Sequence, residues 1–222
     1  MTTGKKTKNW EELINDGENY GDAEVQFTPI EKIIFESIKD KKLLKIQDSY
    51  AFSKTGHEKN SGHGKQLAEL IANFEPLKEI TSLILTHNDL GPEGIKVLVG
   101  SRVLPKVEYL HLGSNNLGNE GTKILAQSEL FSQVKTLNLE CNGITEEGIK
   151  ALAASPWLTQ LTSLNLVDNR IGDEGALAIA NSDTLSNLTY LHLGGNRIKS
   201  EAVKTALRES KKLTKLETLK VF

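Results

Sequence analysis

The 222 residues carry 27 Lys and Arg against 29 Asp and Glu, a formal charge of −2. That balance lacks the basic stripe of a nucleic-acid binder, so no nucleic acid is expected as a partner. The single cysteine, Cys141, excludes an internal disulfide and points to a reducing compartment, the cytoplasm of the chain's own cell or of a cell it is delivered into.

No window approaches the roughly 20 apolar residues of a membrane span, and the N-terminus has no apolar core for a secretory signal. Residues 1–27 read as a flexible or partly helical segment, with "NWEEL" (9–13) as one helical turn. Residues 28–42 predict a capping helix. Thr28 caps it, Pro29 suits its first turn, and Glu31 completes a capping box. Ile30, Ile33, Ile34 and Ile38 share one face, suited to covering the first core layer of whatever follows.

From residue 43 onward the chain repeats itself. A first copy, 43–79, opens with "LLKIQDS", is interrupted by an insertion at 50–64, and resumes with "KQLAELIANFEPLKE". Full copies follow at 80–106, 107–133, 134–160, 161–187 and 188–215, then a partial one at 216–222. In each, alternating leucines such as Leu110 and Leu112, or Leu137 and Leu139, predict a short strand with one apolar face. Asn88, Asn115, Asn142, Asn169 and Asn196 recur just beyond it. A buried carboxamide there can serve backbone groups of its own and the neighbouring turn, so these residues predict a structural asparagine ladder. Acidic residues then open a two-turn helix. Ser101, Ser128, Ser155 and Ser182 recur where that helix ends, followed by the apolar anchors Leu104, Phe131, Leu158 and Leu185. One such unit cannot bury its own apolar face; stacked units can.

The pattern "LxxLxLxxNxIgdeGakaLa" resembles leucine-rich repeats, in particular the ribonuclease-inhibitor-like subclass. "GDEGALAIA" (172–180) is similar to the GALA-type repeats of bacterial effectors. The resemblance implies an α/β fold: a curved solenoid over 43–222 with a parallel concave sheet, convex helices and an N-terminal helical cap. It implies a non-catalytic protein-binding module, and the GALA likeness implies a secreted effector acting on a host protein in the host cytosol. An alternative is a regulator of an enzyme, of the GTPase-activating or enzyme-inhibitor type. The chain departs from the inhibitor in having one cysteine and a 27-residue period, and Ala202 replaces a recurrent glycine.

In this architecture the strand residues between the core leucines face the concave side. Tyr109, His111, Asn138, Glu140, Asn165, Asp168, Arg170, Tyr190, His192 and Arg197 give that face the residue types that anchor protein interfaces. They are the expected partner-binding residues. No metal or cofactor is expected. His111 and His192 occupy equivalent positions three strands apart, about 14 Å, too far to share one ion. His57, Glu58 and His63 lie closer in sequence but match no tight zinc spacing. Cys141 has no base placed beside it by the repeat and reads as a buried or half-buried thiol. The glycines of "GSNNLGNEG" follow the repeat schedule and form turns rather than a phosphate loop. On the convex side, Glu93, Glu120, Glu147, Glu174 and Glu201 open the helices and Lys96, Lys123, Lys150 and Lys204 lie three residues later, with Leu177 interrupting the lysine row, which predicts pairing along the helices that carry both. Val221 and Phe222 follow the last apolar strand pattern and leave an adhesive sheet edge. The oligomeric state is open.

Overall fold

The computed structural model describes Ile34, residues 42–47 and residues 63–222. The expected segment 1–27, the rest of the 28–42 helix and the insertion up to residue 62 lie outside the described residues. Ile34 is helical and fully buried in the core.

Strands β1 (Leu43–Gln47), β2 (Ser82–Thr86), β3 (Tyr109–His111), β4 (Thr136–Asn138), β5 (Ser163–Asn165), β6 (Tyr190–His192) and β7 (Thr218–Lys220) form one parallel sheet in chain order. The helices on its other side are α1 (His63–Asn73), α2 (Gly91–Val99), α3 (Gly118–Ala126), α4 (Glu146–Ala153), α5 (Gly172–Ala180) and α6 (Glu201–Arg208). Each helix packs on the next, and each strand pairs with the next. The predicted α/β solenoid is therefore the observed architecture.

Register explains why the leucines cannot vary. Leu44, Leu83, Leu110, Leu137, Leu164, Leu191 and Leu219 stand opposite one another across the seven strands. All but Leu219 are buried. Each fully buried leucine contributes about 1.5–3 kcal/mol relative to exposure, and a row of them makes neighbouring copies interdependent.

Two polar ladders run along the stack, one at each end of the helices. On the strand side, Asn142 Oδ1 accepts from the Asn115 and Leu117 backbone N–H groups at 3.0 and 3.2 Å. Its Nδ2 donates to the Leu112 and Glu140 carbonyls at 2.9 and 3.0 Å. Asn169 repeats this one copy later, accepting from Asn142 and Ile144 and donating to Leu139. Asn88, Asn115 and Asn196 bond in the same manner. On the far side, Ser101, Ser155 and Ser182 are buried and donate to the Ala72, Ala126 and Ala153 carbonyls of the preceding copy. Both ladders leave few buried backbone groups without partners, the condition for packing irregular chain against a core.

The strand-to-helix turns come in two kinds. Helix α5 begins on Gly172 in the left-handed region, φ 65°. Helices α4 and α6 instead follow extended Thr145 and Ser200. There the preceding copy supplies the acceptor. Asn119 Oδ1 takes the Thr145 and Gly148 N–H groups at 2.9 and 3.3 Å, and Asp173 Oδ1 takes those of Lys199 and Ser200 at 2.9 and 3.2 Å. The altered turn in the copy bearing Ala202 thus has a cap borrowed from its neighbour, beside Ser200, which accepts from Val203.

The expected pairing along each helix is corrected. Of the expected pairs, the one seen is Lys204 with Glu201 of its own helix, at 2.8 Å. Lys123 reaches Glu147 at 3.6 Å and Lys150 reaches Glu174 at 2.9 Å, each in the following copy. Parallel helices side by side bring a lysine as close to its neighbour's first turn as to its own.

Candidate functional site

The sheet face away from the helices is built in rows that follow the register. One row runs Ser82, Tyr109, Thr136, Ser163, Tyr190, Thr218. The next runs Lys45, Ile84, His111, Asn138, Asn165, His192, Lys220. Two residues beyond it along each strand stand Thr86, Gly113, Glu140, Val167, Gly194 and Phe222. The pentapeptide "YLHLG" occurs twice, at 109–113 and 190–194, flanking the two asparagine strands.

Four of the predicted residues form one hydrogen-bonded group. Glu140 Oε2 accepts from Asn165 Nδ2 at 2.8 Å and from Asn138 Nδ2 at 3.3 Å. The Asn138 amide nitrogen is 3.1 Å from His111 Nε2, and Glu140 Oε1 is 4.0 Å from the same nitrogen. Gly113 N–H donates to His111 Nδ1 at 3.2 Å. A neutral imidazole has one bare nitrogen, so the ring accepts either from the Gly113 N–H at Nδ1 or from the Asn138 amide at Nε2, the other nitrogen carrying the proton. Burial lowers the His111 pKa below its ordinary value, outweighing the opposing pull of Glu140, so the ring is neutral near pH 7. Space for the group comes from Gly113: a methyl there would stand 2.9 Å from both the Glu140 side chain and the His111 ring.

A second group gathers at the other "YLHLG" strand. The Tyr190 and His192 rings meet edge to face, 6.3 Å between centroids at 81°. Phe222 lies against His192 at 5.7 Å and fills the notch above Gly194, where a methyl would stand 2.9 Å from its ring. The Lys220 ammonium sits 5.5 Å from the Tyr190 ring centroid. His192 Nε2 is shielded and has no hydrogen-bond partner among the described residues. Burial, and then the nearby Lys220 charge, lowers the His192 pKa.

The remaining predicted residues are not drawn into either group. Tyr109 is half-buried in its row; Asp168, Arg170 and Arg197 are exposed beyond the strand ends. Asp168 and Arg197 adopt left-handed φ of 53° and 59°, as do Ser114 and Cys141 in equivalent turns. That conformation turns Cys141 outward, so the expectation of a buried or half-buried thiol is corrected: the residue is exposed. Local desolvation and then the Asp168 charge hold its thiol above the ordinary value, whereas an activated nucleophile needs the opposite shift. Among the described residues no group of three His, Cys, Asp or Glu could hold a metal ion, and no helix is long and apolar enough to cross a membrane. His57 and Glu58 lie outside the described residues.

Sequence reasoning missed the role of Phe222, read only as part of a sheet edge. The signal was its register: Phe222 holds in its strand the place Glu140 holds in β4, each filling the notch above a glycine of the preceding copy.

A regular stack of strand-and-helix units, its leucines inside and a variable polar and aromatic wall outside, defines a repeat solenoid. Five stretches, residues 80–99, 103–126, 134–153, 158–180 and 184–205, match the family described as Leucine Rich repeat. The chain is a leucine-rich-repeat protein. No match is found among curated proteins. Among solved structures, it is similar to the tropomodulin C-terminal domain of Caenorhabditis elegans, at 16% identity and a TM-score of 0.48, covering 85% of this chain and 93% of that one.

Proposed function

We propose that this chain is a non-catalytic module that binds a partner protein through its sheet wall. Leucine-rich repeats generally mediate protein–protein interaction, and that general role supports the reading. The single observation that carries it is the contrast in construction along the strands. The inward residues are leucines but for Ile46 in β1, while the outward ones differ from strand to strand and include an organised carboxylate, two histidines and two tyrosines. Rigid, part-buried aromatic and polar side chains on a fixed scaffold are what an interface anchor requires. The binding set is Tyr109, His111, Asn138, Glu140, Asn165 and Asp168, with Arg170, Tyr190, His192 and Arg197 completing it.

The finer reading is delivery as a bacterial effector that binds a host protein in the host cytosol. It rests on the GALA-like "GDEGALAIA" and on the lone cysteine, which suits a reducing compartment. Affinity capture from eukaryotic lysate, with wild type beside the Tyr109→Ala/Tyr190→Ala double variant, tests it. A protein held by wild type and lost from the double variant is the expected result. One retained at full strength by the variant places binding elsewhere.

A further inference from the structure

The charges of this protein are not treated alike on its surfaces. On the helix side and along the rim where strands begin, five carboxylates have lysine partners in a neighbouring copy: Glu147 with Lys123, Glu174 with Lys150, Glu79 with Lys106, Glu108 with Lys135, Asp183 with Lys212. On the sheet wall, Glu140 and Asp168 are paired with no lysine or arginine among the described residues. The groups beside Glu140 are two amides and a histidine held neutral near pH 7 by its burial. The amides orient the carboxylate without neutralising it, and its side chain stays 35% exposed.

The lysines of the wall stand apart from it. Lys45 in β1 and Lys220 in β7 bracket the histidine–asparagine row, and both are exposed. Strand β4, which leads into Glu140, is third from each. At about 4.8 Å per strand each lysine strand is about 14 Å from it, a distance an extended peptide covers in about four residues. The wall therefore presents cation, anion, cation across the strands, the anion set about 7 Å along its strand from the row that holds both lysines and the neutral rings of His111 and His192.

On the reading that the wall is the binding surface, we infer that it recognises an extended partner segment crossing the strands. That segment brings a lysine or arginine to Glu140 and acidic residues, about four positions to either side, to Lys45 and Lys220. Charge complementarity of this kind sets register and excludes wrong partners more than it adds raw affinity. Burying the pair under the bound chain costs desolvation, and the hydrogen bonds that already orient Glu140 reduce that cost.

The test uses the full chain and a displayed library of random 16-residue peptides, selected separately on wild type and on Glu140→Gln. The amide keeps the shape of the carboxylate, and an unchanged melting curve confirms folding. Wild type is expected to enrich peptides with a central Lys or Arg flanked by acidic residues. A synthetic peptide of that consensus should bind Glu140→Gln at least tenfold more weakly in calorimetry, and Lys45→Glu/Lys220→Glu should select peptides with the flanking charges reversed. Peptides without a basic consensus, no enrichment at all, or equal affinity for wild type and Glu140→Gln would overturn the inference. Peptides that lose affinity on Tyr109→Ala/Tyr190→Ala but not on Glu140→Gln refute the charge pattern alone. Peptides indifferent to all these changes refute the wall itself.

Discussion

On the helix side, Lys150 reaches across to Glu174 and Lys123 to Glu147; on the sheet side, Glu140 is held by two asparagine amides and meets no ammonium or guanidinium among the described residues. Both surfaces are decoration on the same ladder. The difference lies in the neighbours each repeat offers: part of the helix-side charge is matched within the stack, whereas among the described residues Glu140 meets no cation and Lys45 and Lys220 no carboxylate, so their charges are matched only by something laid across the strands. A surface that completes its own interactions has little to gain from a partner.

The comparison can be broken at the ladder, at the caps or at the surface charges. The largest effect is expected from the ladder. Asn142→Ala strips partners from the buried Asn115 and Leu117 N–H groups and the Leu112 carbonyl, and should cost about 3 kcal/mol or more in denaturant unfolding. Ser155→Ala removes the donor to the Ala126 carbonyl and the acceptor for the Trp157 N–H, and should cost about 2 kcal/mol. Asn119→Ala uncaps the next copy's helix at the Thr145 and Gly148 N–H groups, a loss of about 1 kcal/mol by the same assay.

A smaller effect should follow pH. His111 and His192 have folded pKa values below the unfolded 6.5, so the unfolded chain binds more protons in that range. Their contribution is absent above about pH 6.5, and stability falls as pH drops below it. His111→Asn/His192→Asn should flatten that part of a melting-temperature profile, and NMR titration should find both rings neutral at pH 7. The smallest change belongs to the helix side. Lys150→Ala breaks a fully exposed pair and should leave the melting temperature unmoved within error, which would confirm that those charges hold little of the fold.

The fold was legible because stacking imposes one rule on every copy. Leu110, Leu137 and Leu164 must face one another, and Asn115, Asn142 and Asn169 must bridge successive turns, so the constraint appears as a period of 27. The wall was legible only as a set of positions. That Glu140 would join Asn138 and Asn165 depends on which side chains meet across a strand boundary, and a repeat consensus averages that away. Phe222 above Gly194 is hidden for the same reason, since the notch is defined by a side chain that is missing. Glutamate three residues before lysine looked like pairing within a helix, but Lys123 and Lys150 find the neighbouring copy instead. Cys141 looked buried until the left-handed turn carried it outward.

The most direct measurement is calorimetric affinity of one library-selected peptide for three forms of the full chain: wild type, Tyr109→Ala/Tyr190→Ala on the sheet wall, and Lys123→Ala/Lys150→Ala on the helix side. The predicted result is at least a tenfold loss for the tyrosine pair with the lysine pair indistinguishable from wild type. An unchanged affinity for the tyrosine pair, or an equal loss for the lysine pair, would contradict the assignment of binding to the wall.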